Sequence, residues 1–246
     1  MSDPELLRVV TYNVHKCRGM DGRVRPMRIV EVLREINADI VALQEVFSLE
    51  GMPHEADQAQ FISDNLDLHY GVGETRKLRG RTYGNVVLSR FPVRAMNNYD
   101  LTVRGCERRA CLRADLELNE GKLLHIFNVH LGTAFLERRH QARKLVNGDI
   151  LNAAGLPGLR IMLGDFNEWT RGLVSRLLAS RLESANVRLH LRRTRTYPGL
   201  LPLLHLDHIY FDPLMKLEGL TLHRSRRALI ASDHLPLIAD FRLPVD

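Results

Sequence analysis

Apolar runs that stop abruptly at a polar residue recur along this chain. Leu6-Leu7-Arg8-Val9-Val10-Thr11-Tyr12 runs into Asn13, Ile40-Val41-Ala42-Leu43 into Gln44-Glu45, Leu123 to Val129 into His130, and Ile161-Met162-Leu163-Gly164 into Asp165-Phe166-Asn167. The runs are short, rich in β-branched and aromatic residues, and partly apolar at consecutive positions. They predict strands, some of them covered on both faces. A strand that ends on a polar side chain presents that side chain beyond the sheet edge. One such ending alone also reads as a plain turn, because Gly, Asp and Asn are turn residues. The repetition favours a shared site.

Between the strands the apolar period changes. Pro26 opens a helix to Asn37, with Met27, Val30, Leu33 and Ile36 at helical spacing. Helices are also predicted over Ala56–Leu66, over Phe135–Ala154 with Gly155 and Pro157 as the stop, and near Gly172–Ala179. Further strands are predicted over His69–Gly73, Asn85–Ser89, Pro92–Leu101, Arg109–Leu118, Leu206–Phe211, Leu214–Leu222 and Leu235–Leu243. Arg76–Arg81 reads as a basic loop, Asn119–Lys122 as a hairpin turn, and Val187–Leu204 as a loop containing arginine and proline. About ten short strands with a few inserted helices and no dividing linker predict one α/β domain over residues 1–246, two packed sheets with helices outside.

Composition narrows the classes. The chain has 246 residues, 45% hydrophobic and 26% charged, enough for a sizeable core without disulfides and unlike a disordered protein. The net charge of +6 rests almost wholly on arginine, since the lysines are Lys16, Lys77, Lys122, Lys144 and Lys216. That balance suits a polyanionic partner, although coding bias also produces arginine. Three cysteines without CxxC spacing give neither a disulfide framework nor a zinc site and favour a reducing compartment. The acidic start Met1-Ser2-Asp3-Pro4-Glu5 is unlike a signal peptide, and no stretch is long and apolar enough for a transmembrane segment. The expected location is cytoplasmic.

The polar strand ends collect as Asn13, Glu45, His130, Asp165, Asn167, Asp207, Asp233 and His234. Carboxylates and amides without thiols suit a hard cation, Mg²⁺ or Mn²⁺. Histidines beside such a cation suit general acid–base work, and a basic group such as Arg109 suits phosphate. Together they describe phosphoester hydrolysis.

Thr11-Tyr12-Asn13, Gln44-Glu45-Val46, Gly84-Asn85-Val86-Val87-Leu88-Ser89, Asn128-Val129-His130-Leu131, Gly164-Asp165-Phe166-Asn167, Leu206-Asp207-His208-Ile209 and Ser232-Asp233-His234 follow one another in this order. The ordered set resembles the endonuclease/exonuclease/phosphatase superfamily of deoxyribonucleases, apurinic endonucleases, bacterial sphingomyelinases and inositol polyphosphate phosphatases, from Thr11 to about Pro236. The resemblance implies a four-layer α/β/β/α sandwich of mixed, mainly antiparallel sheets. It implies Asn13, Glu45 and Asp233 at the metal, with Glu45 the direct ligand. It implies Asp165 and Asn167 at the scissile phosphate, His234 as base or phosphate contact held by Asp207, His130 as the second histidine, and Arg109 as a phosphate-binding cation. The water would be activated by an Asp–His pair. His15 and His208 neighbour motif residues, with site and structural roles equally open. Trp169 reads as packing.

A histidine at position 130 resembles the sphingomyelinase-like and deoxyribonuclease-like branches rather than apurinic endonucleases. Thr11 to Lys16 and Glu107-Arg108-Arg109-Ala110 resemble a bacterial subgroup of uncharacterised members, some associated with phospholipid synthesis. The substrate expected is a phospholipid, a small phosphodiester or a nucleic acid, with DNA endonuclease or exonuclease activity as the alternative. A phosphate-binding module without catalysis is the alternative of another class. Leu200 to Leu204, flanked by Arg192, Arg193 and Arg195, would either dock on an anionic membrane or pack inward over the site.

Overall fold

The computed structural model describes residues 6–48, 56–78, 80–118, 121–147, 150–151, 157–168, 172–185, 196–198 and 204–244. Its strands are β1 Leu6–Asn13, β2 Ile40–Ser48, β3 His69–Leu78, β4 Arg81–Ser89, β5 Val93–Asp100, β6 Ala110–Glu117, β7 Leu123–His130, β8 Leu159–Asp165, β9 Glu183–Ser184, β10 Asp207–Phe211, β11 Lys216–Leu222 and β12 Leu237–Arg242. They form two six-stranded sheets, ordered β11-β12-β1-β2-β4-β3 and β5-β6-β7-β8-β10-β9. Each sheet has one parallel pair at its centre, β1 with β2 and β7 with β8, and antiparallel neighbours on both sides. Helix α1 (Pro26–Ile36) connects the first parallel pair, and α3 (Phe135–Asn147) lies in the connection between the second. The sheets are mixed and mainly antiparallel, as expected.

Three apolar clusters define the layers. Leu7, Val9, Ile40, Ala42 and Val87 of one sheet meet Leu112, Leu124, Ile126, Ile161, Leu163 and Ile209 of the other. Val10, Tyr12, Val41 and Leu43 face away from that core and pack with Ile29, Val30 and Leu33 of α1 and Phe61 and Ile62 of α2 (Gln58–Leu66). Phe127, Val129 and Met162 pack with Ala142, Leu145 and Val146 of α3 and Val174 and Leu178 of α4 (Leu173–Leu178). Central strands are thus buried on both faces, which accounts for their consecutive apolar residues. The arrangement is α/β/β/α.

Side chains alternate along a strand, so one parity faces the space between the sheets. On β1 that parity is Leu7 and Val9, then Thr11 and Asn13; on β7 it is Leu124 and Ile126, then Asn128 and His130. On β8 it is Ile161 and Leu163, then Asp165. The same alternation that fills the core at one end of the sandwich supplies polar groups at the other.

Polar groups buried there must find partners. Asn128 Nδ2 donates across the sheet interface to the carbonyls of Leu43 and Val86, at 2.9 Å each. Gln44 Nε2 donates to Asn128 Oδ1 at 2.8 Å and Thr11 Oγ1 at 3.2 Å, and Asn85 Nδ2 to the carbonyls of Ala110 (3.1 Å) and Asn128 (3.2 Å). This layer ties the sheets together beneath the polar end.

Some local expectations change. Most of the predicted basic loop is strand: β3 runs through Arg76 to Leu78 and β4 starts at Arg81, with Gly80 between them at φ 76°. Arg76 pairs with Glu107 at 2.6 Å and lies over the Tyr83 ring, so its charge is compensated within a strand. β9 and the short helix Ala228–Ala231 had no counterpart in the pattern, being too short for a period to register. The predicted end of the long helix at Ala154, Asn119 and Glu120 of the hairpin turn, and Trp169 lie outside the described residues. No helix among the described residues is long and apolar enough to cross a membrane.

Candidate active site

Register places the polar ends side by side. His130 pairs with Asp165 across β7–β8, Asp165 with Asp207 across β8–β10, and Asn13 with Gln44 across β1–β2. Glu45 follows Gln44 and would point to the opposite face by alternation. A register shift between Leu43 and Val46, with Glu45 at φ 59°, breaks that alternation. Gly164 has φ 147°, and a Cβ there would lie 1.9 Å from the Val129 carbonyl oxygen. Only glycine lets β8 pass β7 this closely just before Asp165.

Asp165 is the meeting point. Its Oδ2 accepts from Asn13 Nδ2 at 3.0 Å and lies 3.6 Å from His130 Nε2 and 3.7 Å from His234 Nε2. Its Oδ1 accepts from the Asn167 backbone N–H at 3.0 Å. Asn13, His130, Asp165, Asn167, Asp207 and His234 are all buried, from separate strands and loops. His234 Nδ1 lies 2.9 Å from Asp207 Oδ2, and Asn167 Nδ2 donates to the Leu131 carbonyl at 2.9 Å.

The two histidines are driven apart. Burial opposes charge on His234, but the Asp207 carboxylate and its hydrogen bond, with Asp165 and Asp233, outweigh it and raise the pKa to about 10. Burial and the Arg109 charge push His130 down to about 4. One imidazole is cationic near neutral pH and the other neutral.

Glu45 is half-buried. Burial works against its charge, but the fields of His130 and Lys16 and hydrogen bonds from Lys16 and Asn13 hold its carboxyl at about 2. Lys16 Nζ lies 2.6 Å from Glu45 Oε2, and Asn13 Nδ2 lies 3.4 Å from Oε1. Asn13 Oδ1 accepts from the His15 N–H at 3.1 Å, so this amide braces Glu45, Asp165 and the following turn. The Asp233 carboxylate is turned toward His15 Nδ1 (3.5 Å) and Ser232 Oγ (3.3 Å). Arg109 is buried, donates to Glu107 at 2.9 Å, and acts on His130 through its field.

No three His, Cys, Asp or Glu side chains among the described residues form a metal cage. The donors present are oxygens, chiefly the Glu45 carboxylate with Asp165 next to it. That set fits a hard cation such as Mg²⁺, which keeps several waters and binds proteins through one or two carboxylates.

Several neighbours of the site were given no site role by sequence. Lys16 is one, held in a 3₁₀ turn whose residues His15, Lys16 and Cys17 have φ of 46°, 60° and 54°. The Tyr83 hydroxyl hydrogen-bonds Glu45, and burial, first, with the Glu45 charge raises its pKa strongly. Tyr197 lies against His234 with ring centroids 4.9 Å apart, and Thr196 Oγ1 accepts from the Leu206 N–H at 3.3 Å. The available signals were the alternation on β4, which gives Tyr83 the parity of Val87, the closeness of Lys16 to Asn13, and the place of Thr196-Tyr197-Pro198 at the head of the loop before the Asp207 strand. Thr196 and Tyr197 thus pack inward, while Arg192, Arg193, Arg195 and Leu200 to Leu203 lie outside the described residues. His208 has a structural setting: its Nε2 lies 2.9 Å from the Glu168 carbonyl, its ring meets Phe166 edge-on, and burial lowers its pKa.

Comparison with known proteins agrees with this fold. The chain is 32% identical over 248 residues to the uncharacterized protein YbhP of Escherichia coli (strain K12), covering 96% of each chain. Its fold matches an endonuclease/exonuclease/phosphatase family protein from Bacteroides thetaiotaomicron with a TM-score of 0.80 at 16% identity, covering 99% of this chain and 100% of the other. It matches the human Nocturnin catalytic domain with bound sulfate with a TM-score of 0.75 at 21% identity, covering 96% and 94%. The sequence model of the Endonuclease/Exonuclease/phosphatase family matches residues 10–234, and the chain belongs to that family.

Proposed function

We propose that the chain is a metal-dependent phosphodiester hydrolase whose substrate is a phospholipid, a small phosphodiester or a nucleic acid. The observation that carries this reading is the convergence on Asp165 Oδ2, which has Asn13 Nδ2 at 3.0 Å, His130 Nε2 at 3.6 Å and His234 Nε2 at 3.7 Å. A phosphoryl group and its attacking water at Asp165 meet an amide and two imidazoles at once, suited to the charge that develops during transfer.

The opposed pKa values sort the roles. His234 carries its proton near neutral pH, so it donates from Nε2 to a phosphoryl oxygen while Asp207 fixes its tautomer. The resemblance alone left His234 as base or phosphate contact; the field of three carboxylates favours the contact. Asp165 orients the water and accepts its proton. His130, neutral and 3.6 Å from Asp165, takes that proton at Nε2 and passes it to the departing ester oxygen as its bond to phosphorus breaks. Burial, with the Arg109 charge second, keeps His130 neutral; Arg109 also adds positive charge for the phosphate, and Asn167 closes the phosphate side. Glu45, with Asn13 and Asp233 as the other candidates, would hold Mg²⁺ or Mn²⁺. When bound, that cation supplies Lewis-acid polarisation of a phosphoryl oxygen.

Turnover of bis(p-nitrophenyl) phosphate with Mg²⁺ or Mn²⁺, lost in His234→Ala, is the expected result. No turnover by the wild type with either metal overturns the reading and leaves a phosphate-binding module. A panel of plasmid, abasic duplex, phosphatidylglycerol, sphingomyelin and inositol phosphates then separates the substrates. Nicking that weakens steeply with salt identifies a nuclease. Hydrolysis with co-sedimentation on anionic vesicles identifies a lipid enzyme.

A further inference from the structure

A groove of about 290 Å³ adjoins the site, lined by Lys16, Val24, Phe47, Gln58, Leu78 and Arg81. Its wall toward the site is Lys16, whose ammonium bonds the Glu45 carboxylate at 2.6 Å. We propose that this groove is a subsite for a single aromatic or heteroaromatic ring carried by a small phosphoester whose phosphorus sits at Asp165. The inference rests on the hydrolase reading above and names the substrate class for it.

Three observations support a built recess. The groove is held open by one buried side chain: Gln58 Nε2 donates to the Lys16 carbonyl at 2.8 Å, and its Oε1 accepts from the Phe47 N–H at 3.0 Å. Both walls are therefore fixed before a ligand arrives. The lining is apolar beside a site otherwise made of charges. Phe47, Leu78 and the exposed Val24 contribute it, and Phe47 also meets Tyr83 at 5.6 Å between centroids. Finally, the Arg81 guanidinium lies over the Phe47 ring at 5.9 Å, and among the described residues Arg81 pairs with no carboxylate. A flat cation on a flat ring is a stacking platform, and a guanidinium suits the anionic group of a phosphoester.

Size and chemistry select the occupant. The volume lies at the lower limit of small-molecule pockets and suits one ring rather than two acyl chains. A base-paired duplex keeps its rings stacked inside the helix and offers none to such a recess.

The test is equilibrium binding of phenyl phosphate against methyl phosphate by calorimetry, with Mg²⁺ present, for wild type, Val24→Trp and Arg81→Gln. Val24 is exposed and Arg81 half-buried, so both variants keep the fold, checked by circular dichroism. Burial of one ring predicts that phenyl phosphate binds about tenfold or more tighter. Both variants bring the ratio toward one. Equal affinity for the two esters, no binding of phenyl phosphate, or a ratio untouched by both variants overturns the subsite. Turnover of bis(p-nitrophenyl) phosphate is measured separately. Turnover without a phenyl preference removes the groove and keeps the hydrolase. A preference without turnover removes the hydrolase and keeps the groove.

Discussion

His234 Nδ1 lies 2.9 Å from Asp207 Oδ2, joining the first residue of β10 to the loop that precedes β12. The carboxylate sits wholly inside the protein, so its charge reaches the imidazole with little screening. In Asp207→Asn the pKa of His234, followed by NMR, falls from about 10 toward the ordinary 6.5. Activity falls roughly 10²–10⁴-fold, as expected for loss of a positioned proton donor. The linkage has a definite sign. A folded-state pKa above the unfolded value contributes stability that is full below about 6.5 and is lost as pH rises through about 10. The wild type should therefore lose stability relative to Asp207→Asn between those limits, read as urea midpoints. Parallel midpoints for both proteins would contradict the pairing.

Lys16 and a divalent cation would share Glu45. An ammonium 2.6 Å from the Glu45 oxygen repels a second positive charge at the other side of the carboxylate. Lys16→Met should therefore tighten Mn²⁺ binding, read by electron paramagnetic resonance, while Glu45→Gln weakens it by roughly 10–100-fold or more. Unchanged affinity in Lys16→Met would show that the ion pair and the metal do not compete.

Asn128 donates to two carbonyls of the facing sheet and accepts from Gln44. Asn128→Ala strands those partners in a buried layer and should cost about 3 kcal/mol in urea unfolding, the penalty for buried groups left unpaired. A change below about 1 kcal/mol would mean that water replaces the amide.

Gly164→Ala sets a methyl 1.9 Å from the Val129 carbonyl oxygen at a φ of 147°. The β7–β8 pair cannot part without moving Asp165, so this variant should lose about 4 kcal/mol or more and its activity. Calorimetry and turnover measure the two effects. A fully active, fully stable variant would refute the close approach.

The periodicity of the chain dictated the elements. Apolar runs at consecutive positions required strands buried twice over, and the 3.6-residue spacing after Pro26 required α1; both are present. Alternation even set which polar residues share a face, because Asn13, Asn128, His130 and Asp165 have the parity of the core. Residue chemistry supplied a hard-cation, phosphate-handling set, and the ordered motifs carried the family. What local pattern could not contain is contact between residues far apart in sequence. Asn13 meets Asp165 only because the two sheets pack with their polar ends aligned. Glu45 enters the site only because a register shift overrides alternation, and a single left-handed residue leaves no periodic trace. Tyr83, Tyr197 and the Lys16–Glu45 pair are placed by strand neighbours and loops from elsewhere in the chain. The protonation of His130 and His234 is decided the same way: both begin as ordinary imidazoles, and only the surrounding fold buries both and gives one Arg109 and the other Asp207.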